Sequence, residues 1–131
     1  MANILVVDDH VDTCKVLVRL LRHLRHQGVC VHDGEAALRY LQMQRPDLMI
    51  LDVMMPGMDG MEVLRHVRGE ASTASIPVVM FSAVTDSAFR EHAISKGATD
   101  YWAKAGLDFG ELEARLQKLL PPAAKPVSDA C

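Results

Sequence analysis

The sequence has few aromatic residues, few cysteines, little net charge and no long apolar run. Aromatic residues make up 5% of the 131 residues, with a single tryptophan. The net charge of −3 gives no electrostatic case for binding nucleic acid or an acidic membrane surface. No apolar stretch approaches membrane-spanning length, and the short N-terminal apolar run ends in two aspartates, unlike a secretory signal. These absences favour a cytoplasmic protein with neither a nucleic-acid nor a membrane partner.

Cysteine is scarce and irregularly placed. The three cysteines, Cys14, Cys30 and Cys131, are odd in number and far apart in the chain. This pattern predicts reduced thiols in a cytoplasm rather than a disulfide framework. The six histidines show no ligand spacing with cysteine, so the sequence does not predict a Cys/His metal site.

What the sequence does contain is an alternation of short apolar runs and amphipathic segments. The runs are nearly continuous, which is typical of parallel strands buried on both faces. They are separated by segments with helical spacing of apolar residues. This alternation predicts an α/β fold: a doubly wound, five-stranded parallel sheet of order 2-1-3-4-5 with five helices, as in flavodoxin-like folds. The predicted strands are Asn3–Asp8, Gln27–Val31, Leu48–Asp52, Pro77–Ser82 and Asp100–Ala103.

Local signals mark the helix starts and the end of the domain. Aspartate is a favoured helix N-cap because its carboxylate accepts from free backbone N–H groups. The candidate caps are Asp33, Asp59, Asp86 (or Thr85) and Asp108. Residues 121–131 are rich in proline and alanine and cannot extend the last helix. We therefore expect one domain over residues 1–120, followed by a tail or linker over residues 121–131.

Three carboxylates are expected to meet at one edge of this sheet. Asp8 and Asp9 end the first strand, and Asp52 ends the third. In the order 2-1-3-4-5 these strands are neighbours at the switch point, where doubly wound sheets bind ligands. Close like charges are unfavourable unless a cation joins them, and Mg2+ prefers carboxylate and carbonyl oxygens. Asp9 and Asp52 are predicted direct ligands, with Asp8 acting through water and the Met54 backbone carbonyl completing the set.

The same edge is predicted to carry groups suited to phosphoryl transfer. Asp52 is a possible nucleophile toward phosphorus, and such transfer needs mainly positioning and charge neutralisation. Ser82 ends the fourth strand, and its hydroxyl can donate to a phosphoryl oxygen. Lys104 follows the fifth strand and offers a fixed positive charge.

Over residues 3 to 120 the chain resembles the receiver domains of two-component response regulators. The run from Asp52 through Met55-Pro56-Gly57-Met58-Asp59-Gly60 is the most specific part of the resemblance. All the pieces occur in order and at receiver-like separations. The others are Val6-Val7-Asp8-Asp9, Ser82-Ala83, Gly97-Ala98, Asp100-Tyr101 and Lys104.

The resemblance implies a phosphoacceptor switch rather than an enzyme that turns over an outside substrate. Asp52 would accept phosphoryl from a sensor histidine kinase or a histidine phosphotransfer protein, with Mg2+ held by Asp8 and Asp9. Lys104 would contact the phosphoryl group, while Ser82 and Tyr101 would move together as the switch. The fourth helix, fifth strand and fifth helix would then present a changed face to a downstream protein. Self-phosphorylation and slow self-dephosphorylation would be the only chemistry.

Departures from the family pattern leave other functions open. Ala105 stands where receivers usually have a proline after a cis peptide bond, and a cis bond before alanine costs about 2.5–4 kcal/mol. This puts the reach of Lys104 in question and supports a phosphorylation-independent interaction module. A phosphatase would need a general acid where Met54 stands. A flavodoxin-like phosphate binder would place its phosphate beside Asp8-Asp9-His10, which would repel it.

Overall fold

The computed structural model describes residues 2–83, 86–105 and 108–120. Within these residues five strands and five helices alternate. The predicted tail (121–131), the alternative cap Thr85 and the loop residues Gly106 and Leu107 lie outside the described residues. The elements are β1 (Asn3–Val7), α1 (Val11–His23), β2 (Gln27–Val31), α2 (Gly34–Met43), β3 (Leu48–Asp52), α3 (Gly60–Gly69), β4 (Val78–Ser82), α4 (Ser87–Ser95), β5 (Asp100–Ala103) and α5 (Phe109–Leu119).

The sheet has the predicted architecture. All paired strands are parallel and the order is β2-β1-β3-β4-β5, which confirms the doubly wound, flavodoxin-like α/β fold. Two predicted strands are one residue too long, because Asp8 follows β1 and Pro77 precedes β4. Asp8 therefore stands just beyond the end of its strand, although its backbone N–H still donates to the Val31 carbonyl at 3.1 Å.

The helices cover both faces of the sheet and enclose two apolar layers. Helices α2, α3 and α4 pack on one face, and α1 and α5 pack on the other. Successive side chains of a strand point to opposite faces. Tyr101 accordingly lies in the first layer and Trp102 in the second, as strand alternation predicts. Within the described part of the chain, none of the helices combines the length and apolar character needed to cross a bilayer.

Aspartate carboxylates cap four of the five helices in the described part of the chain. Each accepts a hydrogen bond from a backbone N–H in the first turn, which confirms the predicted helix starts. The exception is α1, whose N-cap His10 makes no side-chain capping bond. These four residues, the capping aspartates, are Asp33, Asp59, Asp86 and Asp108.

Helix α1 ends in a turn that usually contains glycine. Arg25 follows the helix with φ of +69°, in the left-handed region. The N–H of Arg25 donates to the Arg22 carbonyl at 2.9 Å, and the N–H of His26 donates to the Leu21 carbonyl at 2.8 Å. This pair of bonds is a Schellman motif with arginine at its left-handed position.

Two glycines allow helices to approach the sheet closely. A Cβ at Gly60, the first residue of α3, would clash with the backbone carbonyl of Asp52 and lie 2.8 Å from Val53 Cα. A Cβ at Gly28 in β2 would lie 3.1 Å from Leu21 Cδ1 on α1. The first contact fixes α3 against the chain at Asp52, and the second draws α1 onto β2.

Candidate functional site: an acidic cluster at the carboxyl edge of the sheet

The predicted carboxylates converge. Strands β1 and β3 pair through Val7 and Leu51, so the residues that follow them meet at one edge. Asp8, Asp9, His10 and Asp52 each offer a ligand atom, and these atoms all lie within 4.8 Å of one another. Asp8 and Asp52 are only 1% and 2% exposed, whereas the Asp9 side chain is 27% exposed. Asp8, Asp9 and Asp52 are called the acidic cluster below.

Lys104 reaches the acidic cluster despite the alanine that follows it. Its Nζ lies 2.9 Å from Asp8 Oδ2 and 3.3 Å from Asp52 Oδ2. The Lys104 side chain is 18% exposed, and its Nζ stands 5.7 Å from the centre of the Phe81 ring. Among the described residues no peptide bond is cis, so the bond between Lys104 and Ala105 is trans. The ammonium is thus placed between two carboxylates without the cis bond that receivers usually have.

The two buried carboxylates have opposite pKa shifts. Burial raises the pKa of Asp52 to about 6, and the nearby Asp8 charge adds to this, while Lys104 and the Met54 N–H only partly offset it. Burial also disfavours the Asp8 anion, but the His10 backbone N–H and Lys104 outweigh it, so the pKa of Asp8 is lowered. For Lys104 burial opposes the charge, yet contacts with Asp8 and Asp52 raise its pKa. Asp8 and Lys104 are therefore charged at neutral pH, and Asp52 is the carboxyl that one more cation would ionise fully.

Three buried oxygens of the acidic cluster fit a hard divalent cation. Asp8 Oδ2, Asp9 Oδ1 and Asp52 Oδ2 are buried, and none accepts a well-aligned hydrogen bond from a described residue. Their close neighbours are instead the cationic or ionisable groups of Lys104 and His10. Buried carboxylate oxygens without hydrogen bonds are costly unless a charge compensates them. The donor set is all oxygen at this point, which suits Mg2+.

His10 holds the first carboxylate in place. Its backbone N–H donates to Asp8 Oδ1 at 2.9 Å, and its Nδ1 lies 3.1 Å from the same oxygen. The ring nitrogen is also 3.3 Å from Asp9 Oδ1, and the side chain is 64% exposed. The sequence did not predict these contacts, because they depend on the turn between β1 and α1.

Ser82 and Tyr101 lie on the two strands beyond β3. Ser82 is fully buried, and its carbonyl accepts from the Lys104 N–H at 2.8 Å. Asp52 pairs with Phe81, so Ser82 stands one residue beyond the level of Asp52. Tyr101 is 8% exposed, and its ring meets the Phe89 ring of α4 edge-on at 6.1 Å. The structure thus places Ser82 beside Lys104 and Tyr101 against α4.

Met54 contacts the site through its backbone and not through its side chain. Its backbone N–H donates to Asp52 Oδ1 at 3.3 Å, while its side chain is 65% exposed. The N–H bond holds the Asp52 carboxylate in place. A role for the Met54 carbonyl in metal binding stays a prediction.

The expectation of separate, reduced cysteines is wrong for two of the three. Cys14 and Cys30 form a disulfide, with 6.0 Å between their Cα atoms. His32 joins them in a group of three possible ligand residues, which the sequence spacing did not indicate. The pairing was missed because it depends on how closely α1 packs on β2 at Gly28, which linear spacing does not reveal. Cys131 lies outside the described residues.

Fold and site together define a doubly wound α/β domain with an acidic ligand site at its topological switch point. The family model described as the response regulator receiver domain matches residues 4–117. The chain therefore belongs to the response regulator receiver domain family of two-component systems. Members of this family are phosphoacceptor signalling domains rather than conventional enzymes. They generally bind Mg2+ in an acidic pocket, and they interact with histidine kinases and downstream effectors.

Similar proteins include full-length regulators and isolated receivers. A probable transcriptional regulator of Cyanophora paradoxa is 39% identical over 95% of this chain and 50% of its own length. Response regulator PleD of Caulobacter vibrioides is 36% identical over 90% of this chain and 26% of its own length. The chain thus spans about half the length, or less, of these curated relatives.

Solved structures show the same architecture. Chemotaxis protein CheY4 of Vibrio cholerae superposes with a TM-score of 0.85 at 28% identity, covering 92% of this chain and 99% of that one. The receiver domain of sensor histidine kinase PA1611 from Pseudomonas aeruginosa gives a TM-score of 0.82 at 29% identity, covering 90% and 96%. That receiver was solved with a magnesium ion coordinated in its active site cleft.

Proposed function

We propose that this chain is a magnesium-dependent phosphoacceptor switch and that Asp52 is the residue phosphorylated. The observation that carries the proposal is the position of Lys104 Nζ between Asp8 and Asp52, at 2.9 and 3.3 Å. This geometry joins a nucleophilic carboxylate, a second carboxylate and a fixed cation at one end of the sheet. A merely solvated strand end would not bury such a set.

Asp8, Asp9 and Asp52 would hold Mg2+, with the Met54 backbone carbonyl completing the ligand set. Support comes from the three buried carboxylate oxygens that lack well-aligned hydrogen bonds. The PA1611 receiver, solved with magnesium in its cleft, supports the same assignment by similarity. When bound, the ion supplies positive charge that neutralises carboxylates and phosphoryl oxygens. Asp9, the most exposed of the three, faces the solvent from which the ion would enter.

Three protein groups would take part in the phosphoryl transfer, each with a different role. An Asp52 carboxylate oxygen attacks phosphorus, the bond from phosphorus to the donor breaks, and an acyl phosphate forms on Asp52. The Met54 N–H orients the carboxylate through its bond to Oδ1. Lys104 would leave its ion pair with Asp52 and contact the phosphoryl oxygens, where its charge is stabilising. Hydrolysis of the acyl phosphate, without turnover of any outside substrate, would return the switch to its starting state.

The signal would travel from β4 to the surface of α4, β5 and α5. Ser82 would donate its hydroxyl to the phosphoryl group, and Tyr101 would shift with it. Tyr101 contacts Phe89 of α4, so a change of rotamer would alter how α4 sits on the sheet. New contacts of this kind bias a protein between two conformations.

The donor would be a sensor histidine kinase or a histidine phosphotransfer protein, and the reader would be a downstream protein that binds the α4-β5-α5 face. Residues 1–120 would be the receiver domain, and the setting would be the cytoplasm. Named relatives include transcriptional and signalling regulators about twice as long or more, which supports a role in response regulation.

The proposal is tested by mixing the chain with Mg2+ and a small acyl phosphate and measuring intact mass. We expect one phosphoryl-sized gain, which disappears in Asp52→Asn and when the metal is chelated. Asp59→Asn is the matched control. Asp59 lies in the loop that follows Asp52 and caps α3, and asparagine is an equally good cap. A missing gain in the parent chain would contradict the proposal and favour the phosphorylation-independent module.

Magnesium binding can be measured separately, by calorimetry. Asp9→Asn removes a ligand charge without unpacking the core, and we expect it to weaken Mg2+ binding by about tenfold or more, which is about 1.4 kcal/mol. Trp102 fluorescence should follow the same titration, since Trp102 lies two residues before Lys104. Unchanged affinity in Asp9→Asn would exclude Asp9 as a ligand.

A further inference from the structure

The Cys14–Cys30 disulfide lies beside the acidic cluster, next to the backbone of Asp8. It joins the first turns of α1 to β2 across a sequence separation of 16 residues. Cys14 is 2% exposed, whereas Cys30 is half-buried. The phosphoacceptor function makes no use of this bond.

The disulfide is in contact with the backbone that carries Asp8. Cys14 Sγ lies 3.4 Å from the Asp8 carbonyl oxygen, and His32 Nδ1 lies 3.1 Å from the same atom. On the other side of that residue, the Asp8 N–H donates to the Val31 carbonyl, next to Cys30. Both peptide groups of Asp8 are therefore held by residues beside or within the cysteine pair. A reduced Cys14 thiol can donate weakly to this carbonyl, and a disulfide sulfur cannot.

A basic groove leads to the pair. It has a volume of about 410 Å³ and is lined by Lys15, Arg19 and Arg22 together with Cys14, Cys30 and His32. Three positive side chains at a groove of this size favour a small anionic molecule. The half-buried Cys30 is the sulfur that such a molecule would meet first.

We propose that Cys14 and Cys30 are a reversible dithiol–disulfide site for a small anionic disulfide such as oxidised glutathione, linked to Mg2+ binding at the acidic cluster. The Cys30 thiolate attacks one sulfur of the reagent and expels a small thiolate, leaving a mixed disulfide. The Cys14 thiolate then attacks Cys30 Sγ and expels the second small thiolate. Two electrons pass from the protein pair to the reagent, and the two thiol protons pass through water to the released thiolates.

The link between the redox state of the cysteine pair and Mg2+ affinity follows from the Asp8 backbone, which belongs to the acidic cluster and contacts the disulfide. The disulfide fixes α1 to β2 and so holds the Asp8–His10 turn in the arrangement that brings the carboxylates together. The oxidised form therefore binds Mg2+ more tightly, and by reciprocity Mg2+ favours oxidation of the pair by the same factor. In a cytoplasm kept reducing by glutathione, a disulfide of this kind is expected to be transient and regulatory.

The test uses the full chain in a Cys131→Ser background, which leaves one cysteine pair. Reduced and oxidised forms are prepared with defined ratios of reduced to oxidised glutathione, and mass after alkylation reports the thiols. Calorimetry then gives the Mg2+ affinity of each form. We expect the oxidised form to bind Mg2+ about fivefold more tightly than the reduced form. Saturating Mg2+ should change the glutathione ratio at which half of the pairs are oxidised by a similar factor, in favour of the disulfide.

The controls separate this inference from the proposed function on which it rests. A Cys14→Ser, Cys30→Ser variant should bind Mg2+ with one affinity at every glutathione ratio. Equal affinities of the two forms, tighter binding by the reduced form, or failure of the pair to oxidise would overturn the linkage while leaving the phosphoacceptor role intact. Absence of Mg2+ binding in both forms would overturn both proposals.

Discussion

The chain uses aspartate in two contrasting ways, at helix starts and at the site. The capping aspartates are mostly solvent-exposed, and each has its carboxylate satisfied by a backbone N–H. The aspartates of the acidic cluster crowd together, and each keeps a buried oxygen without a well-aligned hydrogen bond. Capping carboxylates stabilise the helix starts, whereas Asp8 and Asp52 depend on Lys104 for charge compensation, and burial together with the Asp8 charge still raises the pKa of Asp52 to about 6. Residue type alone does not distinguish the two sets; their positions at helix starts or strand ends do.

We expect the largest change in stability when the positive charge of Lys104, which the acidic cluster already contacts, is removed. In metal-free buffer at pH 8, Lys104→Met should lower the free energy of unfolding by about 2 kcal/mol, since it leaves Asp8 and Asp52 buried without a counter-charge. Saturating Mg2+ should restore much of the loss. Urea unfolding measures both effects. Lys118→Met on the exposed side of α5 is the control, with an expected change within about 0.5 kcal/mol.

Neutralising Asp52 should instead raise the free energy of unfolding. The folded-state pKa of Asp52 is about 6 against an ordinary 3.8, so between these values the folded chain binds more protons than the unfolded chain. Stability due to this group is therefore lost as pH rises through that window. In metal-free buffer at pH 7, Asp52→Asn should raise the free energy of unfolding by about 1–2 kcal/mol, and the gain should fade below about pH 4.

Urea unfolding at several pH values provides the measurement for that substitution. Asp59→Asn should show no comparable gain at any pH, because Asp59 is a satisfied cap. Destabilisation by Asp52→Asn at pH 7 would mean that the Asp52 carboxylate is well compensated in the metal-free chain.

Removing the carboxylate of a capping aspartate should instead lower the free energy of unfolding. Asp108 accepts from the Glu111 N–H at 2.8 Å at the start of α5. Asp108→Ala should lower the free energy of unfolding by about 1 kcal/mol, while Asp108→Asn should change it by only a few tenths. Mg2+ affinity should stay the same in both variants. A loss of Mg2+ binding in either would show that the two sets of aspartates are not independent.

The smallest effect is expected at the other end of α1, the helix without a side-chain N-cap. Arg25 has φ of +69°, a conformation that glycine adopts at no steric cost. Arg25→Gly should raise the melting temperature slightly, by the equivalent of about 0.5 kcal/mol, after the entropy cost of glycine in the unfolded chain is counted. Arg22→Gly, inside the helix, should instead destabilise by about 1 kcal/mol. Calorimetric melts distinguish the two.

Much of the fold and the outline of the site were predictable because they depend on patterns along the chain. Apolar runs located the five strands, aspartates located four helix starts, and strand order placed Asp8 beside Asp52. Other features depend on contacts between distant segments. The reach of Lys104 past Ala105, and the backbone N–H that lowers the pKa of Asp8, follow from loop geometry. The Cys14–Cys30 bond follows from the approach of α1 to β2, which no spacing within either segment encodes.

The contact between Gly60 and the Asp52 carbonyl bears on how the domain can be redesigned. Helix α3 lies so close to the Asp52 backbone that a methyl group at position 60 has no space. A side chain at position 60 would therefore displace either α3 or the backbone at Asp52. Substitutions intended to change the surroundings of Asp52 without disturbing the fold are best made at the exposed Met54 side chain, with Gly60 kept.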